Sequence, residues 1–370
     1  MSDAQVLFET ISSGAGKKIA IATLNSEKTL NSLSQTMVDL LSPQLKAWED
    51  DAAIAAVVLR GAGAKAFCAG GDVKELYRSA VEKDNAAAKF YETEYRLDYQ
   101  IHTYTKPIVV WGTGIVMGGG LGLASGASHR IVTETSRIAM PEITIGLFPD
   151  VGGTWFLNRA PGKTGLFLGL TGASINAADA LFIGLADRFI ASDKYDAVLA
   201  ALVAVHWSSD MEKYAGQVSH VLRDFEKESK AQLPESPVRA HFDVINELCD
   251  GDDIEDVVNK ILAWQGEDKW LNKAQKTLAA GCPATVHLIE KQFSRGKFLS
   301  LPEIFRMELA MAIGCATYGN FQEGVRALLI DKDNQPKFNP PTIAEVTSEF
   351  VEKHFTGPWG NGPHPLSDLK

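Results

Sequence analysis

Long apolar runs are missing from this sequence, since none approaches the roughly 20 residues an α-helix needs to span a bilayer. The first ten residues, Met1 to Thr10, lack a basic stretch followed by an apolar one and are neither Arg-rich nor amphipathic. Export and organelle import are therefore not expected, which leaves the cytoplasm. Cysteine is scarce: Cys68, Cys249, Cys282 and Cys315 lie far apart, and no two have zinc-ligand spacing. Four in 370 residues make no disulfide framework, so reduced, buried thiols are expected. Positive charge is also short, with 36 Lys and Arg against 46 Asp and Glu and a net charge of −10. No run of Lys or Arg offsets this, so nucleic acid and anionic lipid are not expected as partners. A few local cations can still hold a phosphate-bearing ligand against that field. The eight histidines are scattered and read as surface or packed residues, and no H-E-x-x-H or EF-hand loop occurs, so no metal is expected. Internal repeats and low-complexity segments are absent too.

What remains is an ordinary globular composition, 45% hydrophobic and 22% charged, in a chain longer than one core usually serves. The first half alternates β-rich runs with helix signals, which predicts an α/β fold. Val6 to Ile11 and Lys18 to Leu24 alternate as strands around a Gly14-Ala-Gly16 hairpin turn. Ser34 can cap a helix through Met37, Leu40, Leu41 and Leu45. Ala55 to Leu59 and Pro107 to Gly112 read as buried strands, with an amphipathic stretch from Ala86 to Tyr104 between them. Arg130 to Thr133 and Ile138 to Met140 suggest two more strands. The division expected is a core over 1–191, a charged helical insertion or lid over 192–278 broken at Leu233 to Pro237, and a C-terminal helical region over 279–370 ending in a loose Gly- and Pro-rich tail.

Two apparent nucleotide motifs fail. Gly61 to Ala66 fits G-x-G-x-x-A after a strand, but Phe67 to Gly71 is poor helix where a helix must open. Gly162-Lys-Thr164 lacks the first glycine of a phosphate loop, because position 157 is Leu. Three segments stay unexplained by composition: Lys65-Ala-Phe-Cys-Ala-Gly-Gly-Asp72, Met117-Gly-Gly-Gly-Leu-Gly-Leu123, and Met140 to Thr154. Glycines in the first two let the backbone approach a ligand and aim N–H groups at it. Two such donors on one carbonyl oxygen make an oxyanion hole; two tight strand-to-helix turns explain the same glycines. The third segment carries Glu142 and Asp150 around an apolar Gly-Leu-Phe-Pro stretch. Desolvation there would raise both pKa values towards acid/base use, whereas a surface Glu142 and a helix-capping Asp150 would have no such role.

Together the segments resemble the enoyl-CoA hydratase/isomerase, or crotonase, superfamily, marked by an A-G-x-D loop, a G-G-G turn and a P-E-x-x-x-G-x-x-P segment in this order. The resemblance implies a spiral of repeated ββα units closed by C-terminal helices. It also implies that the Gly71 and Gly119 amides bind a thioester oxygen, with Ala69, Asp72 and Gly118 beside them in substrate contact. Hydratases of the superfamily carry a catalytic glutamate three residues after the middle glycine of the turn, which here is Gly122. They also tend to have Gly or Ala where this chain has Asp150.

That exchange, with Glu94 in Tyr91-Glu-Thr-Glu-Tyr95 and the stretch Glu323 to Asp333, is similar to the 3-hydroxyisobutyryl-CoA hydrolases from about Asn25 to Phe355. The implied activity is hydrolysis of a short 3-hydroxyacyl-CoA, with Glu142 activating water or attacking directly. Asp150 would hold the water or the substrate 3-hydroxyl and assist proton transfer, and Glu94 would orient the substrate. No cofactor is implied beyond the CoA that the substrate carries. Relatives form trimers or pairs of trimers, so a homo-oligomer is allowed, although the middle segment can block that packing. The competing expectations are an enoyl-CoA hydratase using Asp150, and an RNA-binding relative, for which the Leu30 to Glu49 region offers only Lys46.

Overall fold

Apart from half-buried Arg60 and the closing glycines, strands β3 (Ile54–Gly61) and β5 (Ile108–Gly112) are runs of Ile, Val, Leu, Ala and Trp buried on both faces, as central parallel strands are. In the computed structural model, which describes residues 4–360 and 362–370, they sit in the middle of a six-stranded sheet. Its other members are β1 (Val6–Ser12), β2 (Lys18–Leu24), β7 (His129–Val132) and β9 (Arg188–Phe189), in the order β1-β2-β3-β5-β7-β9. Only β1 and β2 pair antiparallel, and the remaining neighbours are parallel. The hairpin, the Ser34-capped helix Gln35–Asp50 and both buried strands stand where the sequence predicts them, and the two later strands begin one residue earlier. The Ser34 hydroxyl accepts the Met37 N–H at 3.2 Å, which supplies the cap.

A second sheet runs β4 (Ala66–Cys68), β6 (Ile115–Met117), β8 (Arg137–Ala139). The pairs β3/β4, β5/β6 and β7/β8 each give one strand to each sheet, and the first two pairs are followed by the helices Val73–Glu82 and Gly119–Ser125. This is the ββα repetition of a spiral in an α/β fold with a largely parallel sheet. Among the described residues no helix is long and apolar enough to cross a membrane.

The chain folds into two compact units. The first comprises Met1–Gly71, Leu97–Ile138 and Ile175–Ser236. Its core joins Ile19, Ile21, Ala56, Val58, Val109, Trp111 and Ile131 of the sheet to two helices, Tyr195–Val203 and Tyr214–Ser229. Tyr214, Val218 and Leu222 recur every four residues and so lie on one helix face. The segment foreseen as an insertion or lid therefore does not stand apart: up to Ser236 it covers this sheet, and from Pro237 it belongs to the second unit.

The second unit, Asp72–Arg96, Ala139–Ser174 and Pro237–Lys370, is built mainly of helices. Its C-terminal tail departs from the expectation of a loose end. Leu366 is fully buried, and its carbonyl accepts Arg306 Nε–H at 3.0 Å while Arg96 donates to the Pro365 carbonyl and pairs with Asp368. Gly and Pro content signals a chain without regular structure, not one without attachment. All four cysteines are buried.

Close packing of the two glycine segments sets a stability test. A Cβ at Gly120 would lie 2.2 Å from the Cys68 carbonyl oxygen, whereas one at Gly216, inside Tyr214–Ser229, meets nothing within 4 Å. Gly120→Ala is expected to cost about 1–3 kcal/mol by overpacking, and Gly216→Ala to stabilise by roughly 0.5–1 kcal/mol. Urea unfolding midpoints check both.

Candidate active site

The helix Ala86–His102 places Tyr91, Glu94 and Tyr95 at i, i+3 and i+4, so one face carries all three. The facing chemistry comes from the Met140–Thr154 segment. A 3-10 turn, Glu142–Ile145, opens it and closes on Gly146 at φ 69°, where a Cβ would lie 2.5 Å from the Asn320 backbone. Leu147, Phe148 and Pro149 are buried and carry the chain to Asp150. Two residues in the left-handed region follow, Val151 at φ 53° and Gly152 at φ 84°. A β-branched residue there stores strain of about 1–3 kcal/mol unless its surroundings fix it.

Two buried side chains from C-terminal helices fix it. Glu308, on Leu301–Tyr318, accepts the Gly152 N–H at 2.8 Å and the Thr154 N–H at 2.9 Å. Gln292, on Pro283–Gly296, donates to the Pro149 carbonyl at 2.5 Å and to the Thr154 hydroxyl at 2.7 Å. The turn carrying Asp150 is thus gripped on both sides of that residue.

Four carboxyl groups are consequently taken out of water: Glu94, Glu142, Asp150 and Glu308 are 2%, 6%, 5% and 0% exposed. Burial, followed by the charges of Asp150 and Glu142, pushes Glu94 well above the usual carboxyl range. Burial and then Asp150 do the same to Glu142. Asp150 rises only to about 6, since the Tyr95 hydroxyl donates to its Oδ2 at 2.7 Å and opposes the burial. Burial lifts Glu308 to about 8 against its two amide donors. Asp150 and Glu308 are thereby brought towards neutral pH, where a carboxyl can hold and pass a proton as an ordinary exposed carboxylate does not. Neither Glu142 as a surface charge nor Asp150 as a helix cap survives, because both are buried and Gly152 occupies the N-cap of Gly153–Leu157.

In the first unit the two glycine segments meet. Gly71 bridges to Leu33, Leu33 N–H donates to Gly70 at 2.8 Å, and Ala69 N–H donates to Leu30 at 3.1 Å. Gly70 sits at φ 111° with its missing Cβ facing the Met117 carbonyl, and Gly118 sits at φ 46°. Gly119 opens the helix Gly119–Ser125, so its N–H has no acceptor within that helix. Asp72 serves as the N-cap of Val73–Glu82, accepting the Glu75 N–H at 3.4 Å. The Glu323–Asp333 stretch runs from the end of the helix Asn320–Val325 through the π-helical Arg326–Ile330, with Arg326 gripping Glu323, Asp331 and Asp333.

Sequence reasoning missed Tyr95, Gln292 and Glu308. For Glu308 a signal existed, since it is the one charged residue among the buried positions of its helix, which include Ile304, Phe305, Met311 and Cys315. Truncating it tests the clamp. Glu308→Ala leaves two buried N–H groups unpaired and is expected to cost about 2–4 kcal/mol, with Glu308→Gln losing roughly half of that because one acceptor remains. The pH dependence carries a sign: a carboxyl raised from 4.5 to about 8 stabilises the fold below pH 4.5 and loses that contribution as pH rises to 8. Wild-type stability relative to Glu308→Gln is therefore expected to decline across this window in urea titrations.

The model of the enoyl-CoA hydratase/isomerase family matches residues 19–355. A Gallus gallus protein named 3-hydroxyisobutyryl-CoA hydrolase, mitochondrial, is 38% identical over 100% of this chain and 91% of its own. A Danio rerio protein of the same name is 38% identical over 95% of this chain and 89% of its own. A crystal structure described as a carnitinyl-CoA dehydratase from Mycobacterium thermoresistibile superposes with a TM-score of 0.84 at 35% identity, covering 96% of this chain and 97% of that one. On these matches the chain belongs to the enoyl-CoA hydratase/isomerase family.

Proposed function

We propose that this protein hydrolyses the thioester of a short 3-hydroxyacyl-CoA, 3-hydroxyisobutyryl-CoA first among them, to the free acid and CoA. One observation carries the reading: Asp150 is buried and hydrogen-bonded with a pKa of about 6, while position 122, where hydratases of the family carry an acid, is glycine. The names of the Gallus gallus and Danio rerio relatives point the same way.

In the proposed mechanism the Gly71 and Gly119 amides hold the thioester oxygen, each donor lowering the barrier by roughly 3 kcal/mol as negative charge develops on it. Ala69, Asp72 and Gly118 line the same loops. Glu142 either takes a proton from water as water attacks the carbonyl carbon, or attacks that carbon itself to give a mixed anhydride that water then opens. In both routes the C–S bond breaks, a C–O bond forms and the departing thiolate takes up a proton. Asp150 relays that proton, and Glu94 orients the acyl group. CoA enters as part of the substrate and no further cofactor takes part. The relatives are named as mitochondrial; the cytoplasm is our reading for this chain, and cell fractionation tests it.

Hydration of an enoyl-CoA is the second reading, favoured by the description of the Mycobacterium thermoresistibile neighbour as a dehydratase. Thiol release separates the two, since hydration removes a conjugated double bond and frees no thiol. Glu142→Gln and Asp150→Gly are each expected to lower thiol release by about 100-fold or more; near-normal turnover in either would refute the assignment. Glu142 must be ionised to act as base or nucleophile, so the rate should fall as pH drops through its raised range, and again below pH 6 as Asp150 takes up its proton. Tyr95→Phe removes the donor that favours the carboxylate, so this acid limb is expected to move to higher pH in kcat/KM profiles.

A further inference from the structure

Tyr91 lies on the helix face that carries Glu94 and Tyr95, and its ring is 1% exposed. Its centroid stands 6.0 Å from that of Tyr95, whose hydroxyl ends on Asp150. The two phenols fare differently. Tyr95 has its carboxylate partner, whereas among the described residues the Tyr91 hydroxyl has none. A buried hydroxyl without a partner costs about 1–3 kcal/mol, and folds retain few of them. Two further unpartnered oxygens belong to the same neighbourhood, Glu94 Oε1 and Glu142 Oε2. Burial, then the charges of Asp150, Cys315, Glu94 and Glu142, hold the Tyr91 phenol protonated, so it stands as a donor throughout the working pH range.

One buried phenol donor and two buried carboxyl oxygens without partners describe the complement of a small alcohol. A ligand hydroxyl accepts one hydrogen bond and donates one, and an unsubstituted acyl chain does neither. We propose that Tyr91 is the specificity-determining residue for the acyl 3-hydroxyl: its O–H donates to the substrate hydroxyl, whose own proton is directed to Glu94. The inference rests on the 3-hydroxyacyl-CoA reading above and assigns the recognition of that hydroxyl to a named pair. Sites built to hydrogen-bond a substrate hydroxyl reject the analogue lacking it far more strongly than apolar pockets discriminate by size.

The test is Tyr91→Phe, which keeps the ring and its packing and removes only the hydroxyl. Two quantities are compared with wild type: kcat/KM for 3-hydroxyisobutyryl-CoA, read as thiol release, and the inhibition constant of isobutyryl-CoA, which lacks only the hydroxyl. The first is expected to fall about 10- to 100-fold, while the second stays within about twofold because no hydrogen bond is lost. A circular dichroism melt is expected to show an unchanged or higher midpoint, since no internal partner is lost. If both quantities hold steady, or both weaken together, Tyr91 does not read the hydroxyl and the assignment is overturned. Failure of the underlying reading shows separately, as absence of thiol release from the wild-type protein, and would take this assignment with it.

Discussion

Taking a carboxylate out of water raises the free energy of its charged form, and the second unit does so at Glu94, Glu142, Asp150 and Glu308. Everything else about that region follows from how the charge is managed. Asp150 receives a phenol hydrogen bond and stays nearest to the ordinary carboxyl range. Glu308 receives two backbone amides and still rises to about 8. Glu94 and Glu142 each keep one oxygen without an internal partner and are pushed well above the usual carboxyl range. A gradient of proton affinity is built from groups of one chemical type, by environment alone.

That gradient depends on the backbone between Pro149 and Thr154. A left-handed valine directly after Asp150 is a costly conformation, and it persists because Glu308 and Gln292 bind the turn. Both clamps sit on long helices near the C-terminus, whose buried faces fix where the two side chains stand. The C-terminal helices thus set the direction of Asp150 as well as filling space. The pinned tail extends the same logic, since Arg306 lies two residues before Glu308 on the same helix and holds the Leu366 carbonyl.

Much of this was legible in the sequence, for identifiable reasons. Val57, Val58 and Leu59 announce a buried strand because a short β-branched run ended by glycine suits a strand covered on both faces, and Ser34 announces a helix start because its hydroxyl has a defined acceptor role. Glu142 and Asp150 stand out because their neighbours are apolar and glycine-rich. Glu308 and Gln292 do not, since their partners lie more than 130 residues away in sequence and no local pattern records such a pairing. Tyr95 was in view as part of a motif, but whether a phenol finds a carboxylate is decided by helix register against a distant turn. The tail misled for the converse reason: Gly and Pro describe local freedom, while attachment came from two arginines elsewhere in the chain.

The exchange of Gly122 for an acid and of Asp150 for a small residue has a physical basis beyond motif matching. Every residue of the helix Gly119–Ser125 is buried, and even a Cβ at Gly120 would collide with the Cys68 carbonyl. A carboxylate at 122 would be a further desolvated charge needing partners of its own, in a helix of glycine, leucine, alanine and serine that offers one hydroxyl. At position 150 those partners exist, in the Tyr95 hydroxyl and in a turn clamped from both sides. Position 150 is thus supplied with a hydrogen bond and a clamped turn for its acid, and position 122 sits in a glycine-rich helix without a comparable partner. A reaction needing one carboxylate to act on water and another to relay the proton is consistent with that support, and addition across a double bond by a carboxylate at 122 is not.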